Sequence, residues 1–159
     1  MSRSLTDPFT LLGDWQLSRV IDDRITCQQS RIDGVLSLAA VSPDRIRWEE
    51  QARWHQPHGD VDVRRGLWVT RDEDTGGWWV RFEDDREFHP WTPGERVVHA
   101  CGADTYRGYV QGTPDRWTVE WDVTGPAKDY RMTTELSPPC AARPLHARWP
   151  ADSRRREGS

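Results

Sequence analysis

Residues 46–54 read IRWEEQARW, and their side chains alternate in character along the chain. One phase is mostly apolar, whereas the other is entirely polar. Successive side chains of a β-strand point to opposite faces, so this period of two predicts a strand with one buried face. Glu50 is an exception, because it shares the phase of Trp48 and Trp54. The segment therefore predicts a strand that carries a carboxylate among tryptophan rings on its inward face.

Runs with the same alternation lie on both sides of this segment, separated by turn residues such as Ser42-Pro43-Asp44 and Gly125-Pro126. Many short strands with short connections are typical of up-and-down architectures, and closure of such a sheet removes its edges. We therefore predict an all-β fold, a single antiparallel up-and-down β-barrel of about 8–10 strands. The predicted strands are residues 13–21, 30–41, 46–54, 61–70, 78–82, 86–89, 97–101, 105–111, 116–123 and 128–137.

The composition limits the classes of function. The formal net charge is -4, and the arginines are interleaved with Asp and Glu, which excludes the basic face of a non-specific nucleic-acid binder. Without an apolar signal segment or a long apolar run, we expect a cytoplasmic protein with no membrane partner. Cys27, Cys101 and Cys140 are too few and too scattered for a disulfide framework or a zinc site, so we expect reduced thiols and no metal.

The 159 residues are the size of one ordinary domain. We expect a flexible N-terminus over residues 1–10, the barrel over residues 11–137, and a largely disordered tail over residues 138–159. Trp149 and the basic run 154–156 lie in this tail. We expect a small hydrophobic or aromatic organic molecule as the partner, no cofactor, and a monomer or homodimer.

The segment Gly13-Asp14-Trp15 opens the first predicted strand and resembles the G-x-W motif of lipocalins and the wider calycin superfamily. In that superfamily the tryptophan closes one end of the barrel and packs against a basic side chain of the last strand. The resemblance implies that Trp15 has this role here, with Arg131 as its basic partner.

Three longer segments, in this order, resemble a bacterial family known under a domain-of-unknown-function label, and the resemblance covers roughly residues 11–136. It implies a lipocalin-like barrel and no established activity. On the fourth predicted strand this chain has Gly66 where the family has an aromatic residue, which implies a modified pocket if that position faces inward. The segments are FEDDREFH at 82–89, HACGADTYRG at 99–108 and WTVEWDVTGPAKDY at 117–130.

Reactive side chains cluster around residues 99–106. The strand period places His99 and Cys101 on one face. Asp104 and Tyr106 also share a face, and Gly102-Ala103 between the two pairs can shift the phase. His99 is a candidate general base, with Asp104 to orient it and Tyr106 as proton donor, and Cys101 is a candidate nucleophile or ligand contact. The alternative is a set of hydrogen-bonding groups at a barrel rim with an inert cysteine. Together with Glu50, the residues His99, Asp104 and Tyr106 are our candidate catalytic residues.

A buried Glu50 requires either a raised pKa or a neighbouring cation. Arg64, in phase with Gly66 and Trp68 on the next strand, is the predicted partner. The pair would serve as an acid/base group or ligand anchor in the cavity. The alternative is a purely structural ion pair.

Further residues are candidate ligand contacts. His89 is expected at the barrel mouth, and Lys128 could capture an anionic group at the entrance or simply be solvated. Rings suit aromatic, polyene or cationic ligands. His89 or His99 also permits haem binding, because haem-binding barrels of the nitrobindin type use a single histidine. The candidate ligand-binding residues are Trp48, Arg64, Gly66, Trp68, Trp78, Phe88, His89, Cys101, Trp121 and Lys128.

Several classes of function follow from these residues. An interior with Glu50, His99 and Tyr106 favours an acid/base enzyme of the cyclase, isomerase or dehydratase type, acting on a hydrophobic intermediate of bacterial specialised metabolism. A carrier or sensor of a small apolar ligand needs the same cavity without the acid and base, and haem binding is a further alternative. A partner-binding module would instead expose tryptophans such as Trp79, Trp91 and Trp149 as interface anchors.

Overall fold

The computed structural model describes residues 4–139, which form ten β-strands and one short 3-10 helix, Pro8–Leu11. No helix in this part of the chain is long and apolar enough to cross a bilayer. The predicted tail overlaps the described residues only at Pro138 and Pro139, so Cys140, Trp149 and the basic run 154–156 lie outside them. The strands are β1 (Gly13–Asp23), β2 (Gln28–Ser42), β3 (Arg45–His55), β4 (Val61–Arg71), β5 (Trp78–Phe82), β6 (Glu87–Pro90), β7 (Arg96–Cys101), β8 (Asp104–Thr113), β9 (Arg116–Thr124) and β10 (Asp129–Ser137).

The strands form one antiparallel sheet that curls into a nearly closed barrel, which confirms the predicted fold. Their order is β6-β5-β4-β3-β2-β1-β10-β9-β8-β7, so only the β1–β10 ladder joins strands that are distant in the chain. The two outer strands, β6 and β7, lie side by side. No hydrogen-bonded ladder joins these two strands within residues 4–139. We call the boundary between β6 and β7 the seam.

Tryptophan rings fill the end of the barrel where β1 begins. Trp117 is completely buried, and Trp15 and Trp48 meet it edge-on with ring centroids 5.8 Å away. Trp91 approaches the same ring at 6.0 Å. Edge-to-face pairs of this kind stabilise a core beyond the area they bury. This end of the barrel is therefore closed by side chains.

Residues 5–11 pack on this closed end. Leu5 and Leu11 are buried, and their carbonyl groups accept hydrogen bonds from the indole N–H groups of Trp91 (2.9 Å) and Trp15 (2.8 Å). Trp91 is thus a core residue, not an exposed anchor. Trp15 closes the barrel without Arg131. In the β1–β10 ladder Arg131 lies opposite Asp22, at the far end of β1.

The inward faces of β3 and β4 decide which polar groups lie inside the barrel. On β3 the phase of Trp48 and Glu50 is buried, as the alternation predicts. On β4 the buried phase contains Leu67 and Val69, so Arg65 shares it. The prediction for this strand was one residue out of phase. The three candidate residues that consequently lie on the outer face are Arg64, Gly66 and Trp68.

Candidate functional site

A cavity of about 610 Å³ lies at the end of the barrel opposite the tryptophan cluster. Each strand from β5 to β10 contributes one aromatic ring to the cavity wall, so strands on both sides of the seam line the cavity. Arg65 and Trp121 line this cavity and also a small void beside Glu50. The aromatic lining residues are Phe82, Phe88, His99, Tyr106, Trp121 and Tyr130.

Three of these rings form a continuous stack. Phe88 lies between Phe82, at 4.6 Å and 12°, and Trp121, at 4.9 Å and 15°. Gly108 makes room for the last ring, since a Cβ at this position would lie 2.5 Å from the Trp121 side chain. The stack therefore makes this part of the cavity wall apolar and aromatic.

A register shift places two successive side chains of β6 inside the barrel. The β5–β6 ladder runs from Val80↔His89 to Arg81↔Glu87, which leaves Phe88 as an extra residue. Both Phe88 and His89 are therefore buried. His89 was expected at the mouth, but it is 6% exposed, contacts Trp121 edge-on, and bonds through Nδ1 to the Pro90 carbonyl (2.8 Å).

Burial, together with the nearby charges of Arg65 and His99, lowers the pKa of His89 to about 4. Unfolding returns the imidazole to water, where its pKa is about 6.5. Above that value neither state binds the proton, but below it the unfolded state binds a proton that the folded state excludes. Stability therefore falls as the pH drops from about 6.5 towards 4.

We expect the free energy of unfolding to decrease by about 2 kcal/mol through His89 alone between about pH 7.5 and pH 5. Urea titrations at several pH values measure this slope. The variant His89→Gln should lose it, whereas His58→Gln, at an exposed loop position, should retain it. An unchanged slope in His89→Gln would show that other groups control the acid sensitivity.

An ion pair lies beside this cavity, at the centre of the barrel. Arg19 donates two hydrogen bonds to Glu50, at 3.1 and 2.9 Å, and its Nε donates to the Thr134 hydroxyl at 2.7 Å. Trp48 donates its indole N–H to Glu50 at 3.1 Å. Both charged side chains are more than 90% buried. The interior partner of Glu50 is therefore Arg19, not Arg64.

The second cation near Glu50 is Arg65, whose Nε lies 3.9 Å from the carboxylate. Burial by itself would raise the pKa of Glu50, but the charges of Arg65 and Arg19, with hydrogen bonds from Arg19 and Trp48, bring it below its usual value. Glu50 consequently stays ionised and has no proton to donate near neutral pH. Its oxygens are engaged by protein donors, which argues against the predicted acid/base role.

Polar side chains cluster at the mouth of the cavity. The Lys128 ammonium lies 3.1 Å from the Asp104 carboxylate and donates to the Tyr106 hydroxyl at 3.2 Å. The hydrogen bond to Tyr106 raises the pKa of Lys128 most, and the hydrogen bond to Asp104 raises it further. Burial and the neighbouring Tyr106 raise the pKa of Tyr130. Lys128 thus remains a cation whose charge Asp104 balances.

His99 and Tyr106 both line the cavity, with ring centroids 6.1 Å apart. Phe82 and Phe88 pack against His99 at 5.7 and 5.1 Å. Cys101 also lines the cavity, and it is an exposed free thiol. No three His, Cys, Asp or Glu side chains of residues 4–139 converge as metal ligands.

Arg64, Trp68 and Trp78 do not line the cavity, and Gly66 lines it with backbone atoms alone. Arg64 is exposed and forms a surface ion pair with Glu49. A Cβ on Gly66 would meet the outer side chains of Glu83 and Arg47, so the missing ring leaves no space inside. The other two are Trp68, which lies under Arg45 and Arg47, and Trp78, which packs against Phe9 at the closed end.

Sequence reasoning missed Arg19 and Arg65, although a signal for both was present. Arg19 continues the phase of Trp15 and Leu17 on the first strand. Within residues 61–70, the inward phase is apolar at every position except Arg65, and its apolar residues are Val61, Val63, Leu67 and Val69. The tryptophan at position 68 outweighed this pattern because large rings are usually placed inside.

Several solved structures are similar in fold. The S-type phycobiliprotein lyase of Guillardia theta has a TM-score of 0.51 and 12% identity, covering 80% of this chain and 86% of that chain. A redesigned β-barrel, mFAP0, bound to DFHBI has a TM-score of 0.47 and 14% identity, covering 81% and 99%. A de novo designed fluorescence-activating β-barrel has a TM-score of 0.44 and 11% identity, covering 81% and 94%.

At these identities the similarity shows the fold alone. No curated protein matches the chain in sequence. A family model matches residues 11–138, which include all ten strands of the barrel, and this match confirms the resemblance expected from the three sequence segments. The chain therefore belongs to the family of unknown function DUF6314.

Proposed function

We propose that the protein binds a small aromatic or polyene molecule in the cavity between the ring stack and the mouth. The observation that carries this proposal is a cavity of about 610 Å³, lined by stacked and edge-on rings, in a barrel whose other end is closed. Pockets that bind small organic molecules have this size and are lined mainly by apolar and aromatic side chains with few polar groups. A purely structural barrel would fill this volume with its own side chains.

The stack of Phe82, Phe88 and Trp121 favours a flat ligand, because rings prefer offset-stacked or edge-on neighbours. Tyr106 and Lys128 give the mouth a polar edge where a heteroatom of the ligand can be hydrogen-bonded. The cytoplasmic location and the oligomeric state remain predictions from the sequence.

The neutral dye Nile red, whose emission increases in an apolar site, tests this proposal. Its binding is compared between a variant whose cavity is filled by a larger side chain and a control variant whose cavity is unchanged. His99→Trp places a larger ring in the cavity, and Val98→Trp makes the same change at the adjacent residue, which is 63% exposed. We expect wild type and Val98→Trp to bind the dye alike, and His99→Trp to bind it about tenfold more weakly or not at all. Equal binding by all three proteins would refute the cavity as the site.

Acid/base catalysis of a cyclase, isomerase or dehydratase type is a second candidate function. It is favoured by the shared position of His99 and Tyr106 on the cavity wall and by the ammonium that contacts the Tyr106 hydroxyl. The test compares mass spectra of host metabolite extracts incubated with wild type, Tyr106→Phe and Tyr109→Phe, since Tyr109 lies on the outer face of β8. A mass change that only Tyr106→Phe abolishes would establish catalysis, and the absence of any change would leave binding alone.

A further inference from the structure

The interior of the barrel holds more positive than negative charge. Arg19 and Arg65 share the single carboxylate of Glu50, so the three groups together carry one excess positive charge. The remaining buried ionisable group of the described core, His89, is neutral near neutral pH. Buried charges in proteins are normally balanced by a partner, because an isolated charge is costly to remove from water.

Arg65 carries this excess charge. Arg19 uses each of its three nitrogens on Glu50 or Thr134 and is only 7% exposed, so its charge is already engaged within the protein. The Nε of Arg65 is buried and has no hydrogen-bond partner within residues 4–139, and its distance of 3.9 Å from Glu50 is too long for a hydrogen bond. A third of the Arg65 side chain is still accessible, and the residue lines the cavity.

The charges around the cavity other than Arg65 are balanced locally. At the mouth Lys128 pairs with Asp104 at 3.1 Å. At the rim Arg86 pairs with Asp84 at 2.6 Å, and Glu87 lies 3.7 Å from Arg81. The unbalanced charge is therefore that of Arg65 on the cavity wall, and not a charge at the mouth or the rim.

We propose that Arg65 receives a carboxylate of the ligand, so that the molecule bound in the cavity is a monoanionic aromatic or polyene acid. This inference rests on the proposed function and specifies its ligand class. One excess positive charge matches one negative charge, and the planar guanidinium fork matches the two oxygens of a carboxylate. The ring system of the same ligand would then lie against the aromatic wall of the cavity, with Glu50 and Arg19 holding the position of Arg65 from behind.

A pair of probes that differ only in charge tests this assignment. Isothermal titration calorimetry with 2-naphthoate and with neutral 2-naphthamide compares the same ring system with and without a carboxylate. For wild type we expect naphthoate to bind roughly 10–100-fold more tightly than the amide. Arg65→Met should abolish this preference, while Arg64→Met, the same change at the adjacent outward residue, should preserve it.

The possible results separate the two proposals. Equal affinity of wild type for both probes, or a preference that survives in Arg65→Met, would overturn the anion assignment and leave the cavity as a binding site. Binding of neither probe would overturn the proposed function together with the inference. A thermal melt of Arg65→Met checks that the barrel is intact, which we expect because the Arg19–Glu50 pair remains.

Discussion

Glu50→Gln is expected to lower the free energy of unfolding by about 3–5 kcal/mol, the usual effect of removing one member of a buried ion pair. The amide retains the size of the carboxylate but removes the only negative charge that residues 4–139 place beside Arg19 and Arg65. Two guanidinium groups would then be left in the barrel interior without a counter-charge. Equilibrium urea denaturation of both proteins near neutral pH measures the difference.

The adjacent residue provides a matched control. Glu49 lies on the outer face of β3 and pairs with the exposed Arg64, so Glu49→Gln should cost at most about 1 kcal/mol. A second variant, Arg19→Met combined with Glu50→Gln, should recover part of the loss because one orphaned charge is gone. If Glu50→Gln is as stable as Glu49→Gln, the carboxylate does not hold the two arginines. Such a result would restore Glu50 as a candidate acid/base residue.

Trp15→Ala is expected to destabilise the barrel by about 3–5 kcal/mol, as truncation of a buried ring usually does. The ring is 7% exposed, meets Trp117 edge-on at 5.8 Å, and donates to the Leu11 carbonyl at 2.8 Å. Its removal leaves a void at the closed end and an unpaired carbonyl in the 3-10 helix. Thermal and urea denaturation measure the loss.

Trp79 is the control for this substitution, because it is only half-buried and lies on the outer face of β5. We expect Trp79→Ala to cost about 1 kcal/mol, a value typical of partly exposed positions. A loss below about 1 kcal/mol for Trp15→Ala would mean that this ring does not close the barrel. The remaining members of the cluster would then be sufficient to seal that end.

The fold was predictable because the alternation is strong in most strands. On the third strand Trp48 and Trp54 share a phase against four polar residues, and the structure places that phase inside. Short turns between such runs allow only neighbouring strands to pair, so the order of the sheet follows from the order of the chain. The one long-range ladder, β1 with β10, is what closure of the barrel requires.

The candidate site was only partly predictable, for two physical reasons. The Arg64-Arg65 dipeptide places one arginine on each face, and the two phases of the strand give opposite signals: apolar residues share the phase of Arg65, but the large ring of Trp68 shares the phase of Arg64. The extra residue at Phe88 turns two neighbouring side chains inward, which a strict period of two excludes. The residues whose inward position depends on a single unbroken phase, Glu50 and Trp121, lie where the sequence places them.

The seam determines where the cavity wall can widen to fit molecules of different size. The stacked ring of Phe88 belongs to β6 and the ring of His99 to β7, so the cavity wall crosses the line where no ladder joins neighbouring strands in residues 4–139. Widening the wall there separates side chains 5.1 Å apart but breaks no strand-to-strand hydrogen bond. The aperture is consequently adjustable on this side and rigid on the side of the Arg19–Glu50 pair. A molecule anchored at Arg65, as we propose, would be held in fixed orientation at one end, while variation in length and bulk would be tolerated at the other.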